Sequence, residues 1–221
     1  MAFDLVRRTT FAAIAACVAV IAPVVSTIPT AGLGLAAADD CPDIEVVFAR
    51  GTNEAPGLGL PGGAFVDSLR AKVGGRSVGS YAVNYPATYD FLAAAYGAND
   101  ASAHIQYMMN TCPNTRLVLG GYSQGAAVMD VIAAVPIPAI GFTNPLPPNT
   151  PDFVAAVVAF GNPSAKLGLP LTTSPVWGAR SIDLCNAGDP VCQTNGEGVA
   201  AHRAYAGGPT NAAANFVAGL L

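Results

Sequence analysis

Charge is scarce in this chain: Lys and Arg number 10 and Asp and Glu 14 in 221 residues, 11% in all. There is no basic run, and the formal net charge is −4. Nothing therefore builds the positive face that nucleic acid or an anionic membrane surface requires. Histidine is scarcer still, with only the distant His104 and His202, and the cysteines read as paired with one another. No set of residues has metal-ligand spacing, so no metal and no cofactor are expected. Beyond the N-terminal region no apolar stretch approaches the eighteen or so residues of a membrane-spanning helix. What is present is a 52% hydrophobic composition, ample for one core, with 24 Gly and 18 Pro, below the level of low-complexity disorder.

The first forty residues stand apart. Arg7 and Arg8 precede an apolar run from Phe11 to Val25 broken only by Pro23, and Ala36-Ala37-Ala38 ends the uncharged stretch before Asp39 and Asp40. A positive segment, an apolar segment and small residues at a cleavage point make residues 1–38 an expected export signal, leaving 39–221 as the mature chain. The arginine pair leaves both general secretory and twin-arginine export open. Two rival readings are an uncleaved anchor, since Thr9 to Ala38 carries no charge, and lipid attachment at Cys17.

Loss of Cys17 with the leader leaves Cys41, Cys112, Cys185 and Cys192. An even number in an oxidising compartment predicts two disulfides, with three possible connectivities. Cys185 and Cys192 are close enough to staple a local loop, and Cys41 would then pair with Cys112. Chain-entropy arguments give roughly 2.5 kcal/mol for the short loop and roughly 4 for the long one.

From Asp43 onward strand-like and helix-like segments alternate. Strands are predicted at Ile44 to Ala49, Val78 to Tyr85, Arg116 to Gly120, Val154 to Phe160 and Arg180 to Leu184. Helices are predicted at Ala64 to Val73, Ser102 to Asn110, Gly125 to Val135 and Asn211 to Ala218. That alternation predicts one α/β domain with a mostly parallel sheet covered on both faces. The segment Phe91 to Tyr96 reads as core or a helix face. Gly57 to Gly62 formally satisfies G-x-G-x-x-G, but it begins well after the first strand and contains Pro61. It therefore reads as a loop at the rim of a site rather than a dinucleotide cradle.

Gly121-Tyr122-Ser123-Gln124-Gly125 fits G-x-S-x-G. The pentapeptide alone recurs by chance in a glycine-rich chain; its context is what matters. Leu117-Val118-Leu119 leads in as a strand and Ala126-Ala127-Val128-Met129 leads out as a helix, the arrangement of a nucleophile elbow. A serine hydroxyl needs a base, and the usual order of Ser, acid, His points to His202. His104 precedes the serine and reads as an ordinary helical-surface histidine. The acid candidates are Asp130, Asp152, Asp183, Asp189 and Glu197. Asp130 and Asp152 read as solvated and Asp183 lies inside a strand. Asp189, in a turn within the Cys185–Cys192 interval, is favoured because a catalytic carboxylate must be held rigidly.

Together, Gly121 to Gly125, Asp189-Pro190-Val191-Cys192, the downstream His202 and Ala49-Arg50-Gly51-Thr52-Asn53-Glu54 resemble the cutinases, most closely the secreted mycobacterial-type cutinase-like esterases. The resemblance runs from Cys41 to about Leu221. It implies a small three-layer α/β-hydrolase without a large lid, a central five-stranded parallel sheet, two disulfides, and hydrolysis of carboxylic esters. By the same resemblance Ser123 is the nucleophile, His202 the base and then acid, and Asp189 the orienting carboxylate. The backbone N–H groups of Thr52 and Gln124 would form the oxyanion hole. Many cutinases carry Ser where this chain has Thr52, whose methyl adds bulk beside the hydroxyl. The family framework also matches the pairings Cys41–Cys112 and Cys185–Cys192.

The expected protein is a secreted monomeric serine esterase, extracellular or associated with the cell envelope, with an apolar ester or lipid substrate and no obligate protein partner. Short to medium acyl chains are favoured. The alternatives are a lipase or phospholipase acting on long chains, and an exported cell-envelope protein that keeps the fold without turnover. Removing Asp4, Arg7 and Arg8 with the leader scarcely changes the charged fraction. The mature domain is itself charge-poor, which predicts a large uncharged surface near Ser123.

Overall fold

A computed structural model describes residues 41–134 and 141–221. The expected leader, 1–38, lies outside the described residues, as does Val135, where the third predicted helix ends.

Five strands form one sheet: β1 (Ile44–Ala49), β2 (Val78–Ala82), β3 (Arg116–Tyr122), β4 (Val154–Phe160) and β5 (Ser181–Leu184). Their order is β2-β1-β3-β4-β5 and all four pairings are parallel. β1 and β4 are buried along their whole length, as continuous β-branched and apolar runs in a doubly covered parallel sheet should be. Between the strands lie α1 (Gly59–Arg70), α2 (Ala94–Thr111), α3 (Gln124–Ala134) and α4 (Pro163–Lys166), and after β5 come α5 (Val199–His202) and α6 (Gly208–Ala218).

Alternation along the strands sorts the core into two layers. Val47, Leu119 and Val157 face α2 and α3, meeting Ala98, Ala101, Ile105, Val128 and Met129. Ile44, Val46, Phe48, Val158 and Phe160 face α1 and α6, meeting Phe65, Leu69, Ala214 and Val217. Each fully buried Phe or Leu contributes about 1.5–3 kcal/mol relative to exposure. This is the three-layer α/β-hydrolase architecture. The order places β1 between β2 and β3, so chain crossovers leave it in opposite directions. The crevice at the carboxyl ends of β1 and β3 is thus a topological switch point, where ligands of such sheets bind.

Several boundaries differ from the sequence reading, each for a physical reason. α2 begins eight residues earlier than predicted, because its buried face there is Ala94, Gly97, Ala98 and Ala101, too small to register as apolar periodicity. β2 stops at Ala82 because Asn84 N–H donates to the Asp100 carboxylate instead of to a neighbouring strand. Residues 59–62 of the glycine-rich loop form the first turn of α1, with Pro61 and Gly62 buried. Phe91, Leu92 and Tyr96 are not core: all three are exposed. His104 is not a surface histidine either. Its Nε2 lies 2.5 Å from Glu45 Oε1 and its ring stacks on Tyr81 at 3.5 Å, closing the edge of the sheet.

Both expected disulfides are present, Cys41–Cys112 and Cys185–Cys192. The first closes an interval of 71 residues and ties the start of β1 to the end of α2. Replacing Cys41 and Cys112 together by Ser should lower the unfolding free energy by about 4 kcal/mol. Urea unfolding without reductant measures this, and an unchanged midpoint would show that the cross-link contributes nothing.

Candidate active site

β3 passes directly into α3 through Ser123, whose backbone is left-handed at φ +55°. Its N–H donates to Phe160 O at the end of β4, and its carbonyl accepts Ala126 N–H and Ala127 N–H in the first turn of α3. Such a bend demands close backbone approach. A Cβ on Gly125 would lie 1.9 Å from Ala49 O, and one on Gly121 would lie 2.1 Å from Gly125 O. These contacts explain both glycines of the pentapeptide.

The serine hydroxyl is not alone. His202, the last residue of α5, brings its Nε2 to 2.9 Å from Ser123 Oγ. Its Nδ1 lies 2.8 Å from Asp189 Oδ2. The ionised Asp189 carboxylate is an acceptor only, so Nδ1 carries the imidazole proton and Nε2 offers its lone pair to the serine. Tyr122 O–H donates to the His202 backbone carbonyl at 2.7 Å, fixing where the ring begins. Gly161 lies beneath that ring at φ +58°; a Cβ there would come within 2.9 Å of His202 Cε1 and 3.1 Å of Asp189 Oδ2.

Asp189 is fully buried within the loop closed by Cys185–Cys192. Oδ1 accepts Val191 N–H at 2.7 Å, while Oδ2 accepts from both His202 and Tyr205 O–H, the latter at 2.6 Å. Burial pushes this carboxyl up, but donation from Tyr205, His202 and Val191 outweighs it and leaves Asp189 below the ordinary carboxylate value.

The remaining acid candidates lie elsewhere. Asp152 and Glu197 are exposed. Asp183 stands on β5 and Asp130 on α3, both half-buried and joined by Asn162 Nδ2, which donates to each at 2.8 and 3.2 Å. Asp130 also accepts from Ser164 Oγ, so it is not the solvated residue the sequence suggested. Burial pushes Asp130 up to about 6 and raises Asp183 as well, where Oδ1 is buried without a partner among the described residues. Neither touches His202 in the hydrogen-bond network. A concavity of about 490 Å³ opens beside Asp130 and Ser164, walled by Leu169, Pro170, Leu171 and Val176; Ser123 is not part of its lining.

Facing the serine is the loop after β1. Among the described residues, neither Thr52 N–H nor Gln124 N–H donates a hydrogen bond. The Thr52 hydroxyl donates to Gln124 Oε1 at 3.3 Å, and the buried Gln124 amide donates in turn to Thr88 O at 2.9 Å. The loop itself is held by two charged residues. The Arg50 guanidinium donates to Glu54 O, Val83 O and Tyr85 O, and the Glu54 carboxylate accepts Gly51 N–H and Leu60 N–H at the start of α1. Two N–H groups thus stand unengaged beside a hydroxyl, an imidazole and a carboxylate in series, the parts needed for acyl transfer. Sequence reasoning missed Tyr205 and Gly161. A buried tyrosine three residues past a histidine leaves no periodic trace, and a lone glycine after a strand reads only as a turn.

Fold and site together define an α/β-hydrolase. Comparison with known proteins narrows the class. The cutinase family model matches residues 40–221. The chain is 56% identical over 193 residues to the phospholipase Culp4 of Mycobacterium tuberculosis, covering 87% of this chain and 84% of that protein. It is 50% identical over 200 residues to the carboxylesterase Culp1 of Mycobacterium bovis, covering 86% and 87%. Among solved structures, a Trichoderma reesei cutinase in complex with a phosphonate inhibitor aligns with a TM-score of 0.62 at 34% identity, over 81% of this chain and 77% of that one. The chain belongs to the cutinase family, and by that membership it is a carboxylic ester hydrolase.

The buried Asp130 has a measurable consequence. The folded state keeps its proton up to about pH 6, whereas the unfolded chain releases it near the ordinary value of 3.8. Between those limits the folded state binds more protons, so stability falls as pH rises. In Asp130→Asn that fall should shrink, by up to about 3 kcal/mol for a shift of this size. Urea unfolding at pH 4, 5.5 and 7 measures it; an unchanged slope would show that Asp130 ionises freely in the fold.

Proposed function

We propose that this protein is an exported serine esterase that works through an acyl-enzyme intermediate. The observation that carries the reading is the continuous hydrogen-bond series from Ser123 through His202 to Asp189 at the carboxyl end of the sheet. Ser123 Oγ attacks the ester carbonyl carbon as its proton passes to His202 Nε2. The oxygen of the tetrahedral intermediate takes the negative charge and is met by Thr52 N–H and Gln124 N–H. Collapse breaks the bond to the leaving alcohol, which takes the proton from His202. Water then repeats the path on the acyl-enzyme and releases the acid. Asp189 stays ionised throughout and holds the imidazole in the required tautomer.

The substrates are apolar esters of short to medium acyl chains, and no cofactor takes part. Residues 1–38 act as a cleaved leader, and 39–221 form the single catalytic domain, secreted and monomeric. A second reading, hydrolysis of long-chain lipids, is favoured by two observations. One relative at 56% identity is named a phospholipase. Large apolar side chains also stand exposed close to the site in sequence: Tyr89 and Phe91 beside the Thr88 carbonyl that Gln124 holds, and Val199 at the start of α5.

Ser123→Ala should abolish hydrolysis of p-nitrophenyl butyrate with circular dichroism and melting temperature unchanged; retained activity overturns the assignment. Asp189→Asn should cost about 10⁴-fold in kcat, whereas Asp183→Asn stays within about tenfold because that carboxylate does not touch His202. The reverse order would move the acid to β5. Rates on p-nitrophenyl esters from acetyl to palmitoyl then separate the two substrate classes. A fall beyond the octanoyl ester supports the esterase, and a rise towards palmitoyl, with release of fatty acid from phosphatidylcholine, supports the lipase.

A further inference from the structure

Tyr205 lies three residues beyond His202, fully buried, in the turn before α6. Its single hydroxyl proton has one place to go. Asn186 N–H donates to the phenol oxygen at 3.0 Å, and Cys192 Sγ, at 3.5 Å, is a disulfide sulfur and a far poorer acceptor than a carboxylate oxygen. The proton therefore points at Asp189 Oδ2, 2.6 Å away, which also receives His202 Nδ1–H. Burial and donation to Asp189 push the phenol well above its ordinary value, so it remains a donor at every pH at which the fold persists.

We infer that Tyr205 is a positioning residue for His202, acting through Asp189 by sharing the carboxylate oxygen that faces the imidazole. This rests on the proposed roles of Ser123, His202 and Asp189. A carboxylate oxygen that already accepts a short O–H bond has less charge to offer a second donor. The imidazolium that forms when His202 takes a proton is therefore held less tightly than it would be without the tyrosine. The Tyr205 hydroxyl also fixes the plane of the carboxylate from the side opposite Val191, so that Oδ2 rather than Oδ1 is presented to His202. The other titratable and charged groups around the imidazole come from three elements. Tyr122 at the end of β3 has its ring 5.1 Å from that of His202, Arg203 follows His202 in the chain, and Glu54 on the loop after β1 acts on Tyr122. None of them donates to Asp189 among the described residues.

The test is the pH profile of kcat/KM for a p-nitrophenyl ester, whose acid limb reports the free-enzyme base. In Tyr205→Phe the acid limb should move to higher pH by about half a unit or more, with KM unchanged and the plateau kcat lowered less than about tenfold. Placing 3-fluorotyrosine at position 205, which keeps the volume and strengthens the donor, should move the limb the other way and serves if the phenylalanine variant does not fold. A purely structural role predicts a lower melting temperature with the limb unmoved in both variants, and that result overturns the inference. The chain has only two histidines, so ¹H–¹⁵N titration of His202 in the full-length variants reads the same shift without turnover. Absence of ester turnover in the unaltered protein would defeat the esterase reading alone; identical His202 titrations would defeat this one.

Discussion

The left-handed backbone at Ser123 is the constraint on which the rest of the structure hangs. A non-glycine residue at φ +55° costs about 1–3 kcal/mol and persists only where its surroundings over-determine it. Here β4 holds the N–H through Phe160, and the first turn of α3 holds the carbonyl. The bend also brings Gly125 against the backbone of Ala49 and Arg50, so the loop after β1 is registered on the loop after β3 without any side chain between them. Arg50 and Glu54 then splint that loop from within, one bonding carbonyls and the other N–H groups. The position of Thr52 relative to Ser123 is thus a backbone property of the sheet.

Environment, more than residue type, separates the carboxylates on the other side of the serine. Asp189 is closed off from solvent and receives three N–H or O–H donors, and it ionises more readily than a free aspartate. Asp130 and Asp183 are half-buried and share Asn162, with Ser164 donating to Asp130 as well, and there burial dominates. Of the three, Asp189 is the one that touches His202, and its carboxyl is held below the ordinary value there. The short disulfide closes the backbone that carries this charge, while Gly161 gives the two side chains room to meet.

Much of this was legible in the residues, for reasons that differ from place to place. β1 and β4 are apolar without interruption, which in an alternating chain marks central parallel strands. The serine declared itself through flanking glycines whose necessity is now visible in the approach of Gly125 to Ala49. With two histidines in the chain, order alone pointed to His202, the one that the fold brings to Ser123. The misreadings share another cause. The N-terminal half of α2 packs through alanine and glycine, so it lacks the bulky periodicity that marks a helix. Phe91 and Tyr96 look like core because aromatic residues usually are, yet they stand in solvent. Asp130 and His104 look solvated because their partners, Asn162, Ser164, Glu45 and Tyr81, come from distant parts of the chain. Pairings across 23 to 59 residues leave no local mark.

The sheet order carries a consequence for how such a site fails. Ser123 directly follows β3, paired on both sides at the centre of the sheet, whereas Asp189 and His202 follow β5, a four-residue edge strand whose single neighbour is β4. Edge elements open more often than central ones, in local excursions that leave the remainder intact. The proposed nucleophile and its partners therefore sit on parts of different durability. Mild heat or denaturant would separate them while the central strands still hold, so lost turnover would report fraying at one margin long before any optical signal reports unfolding.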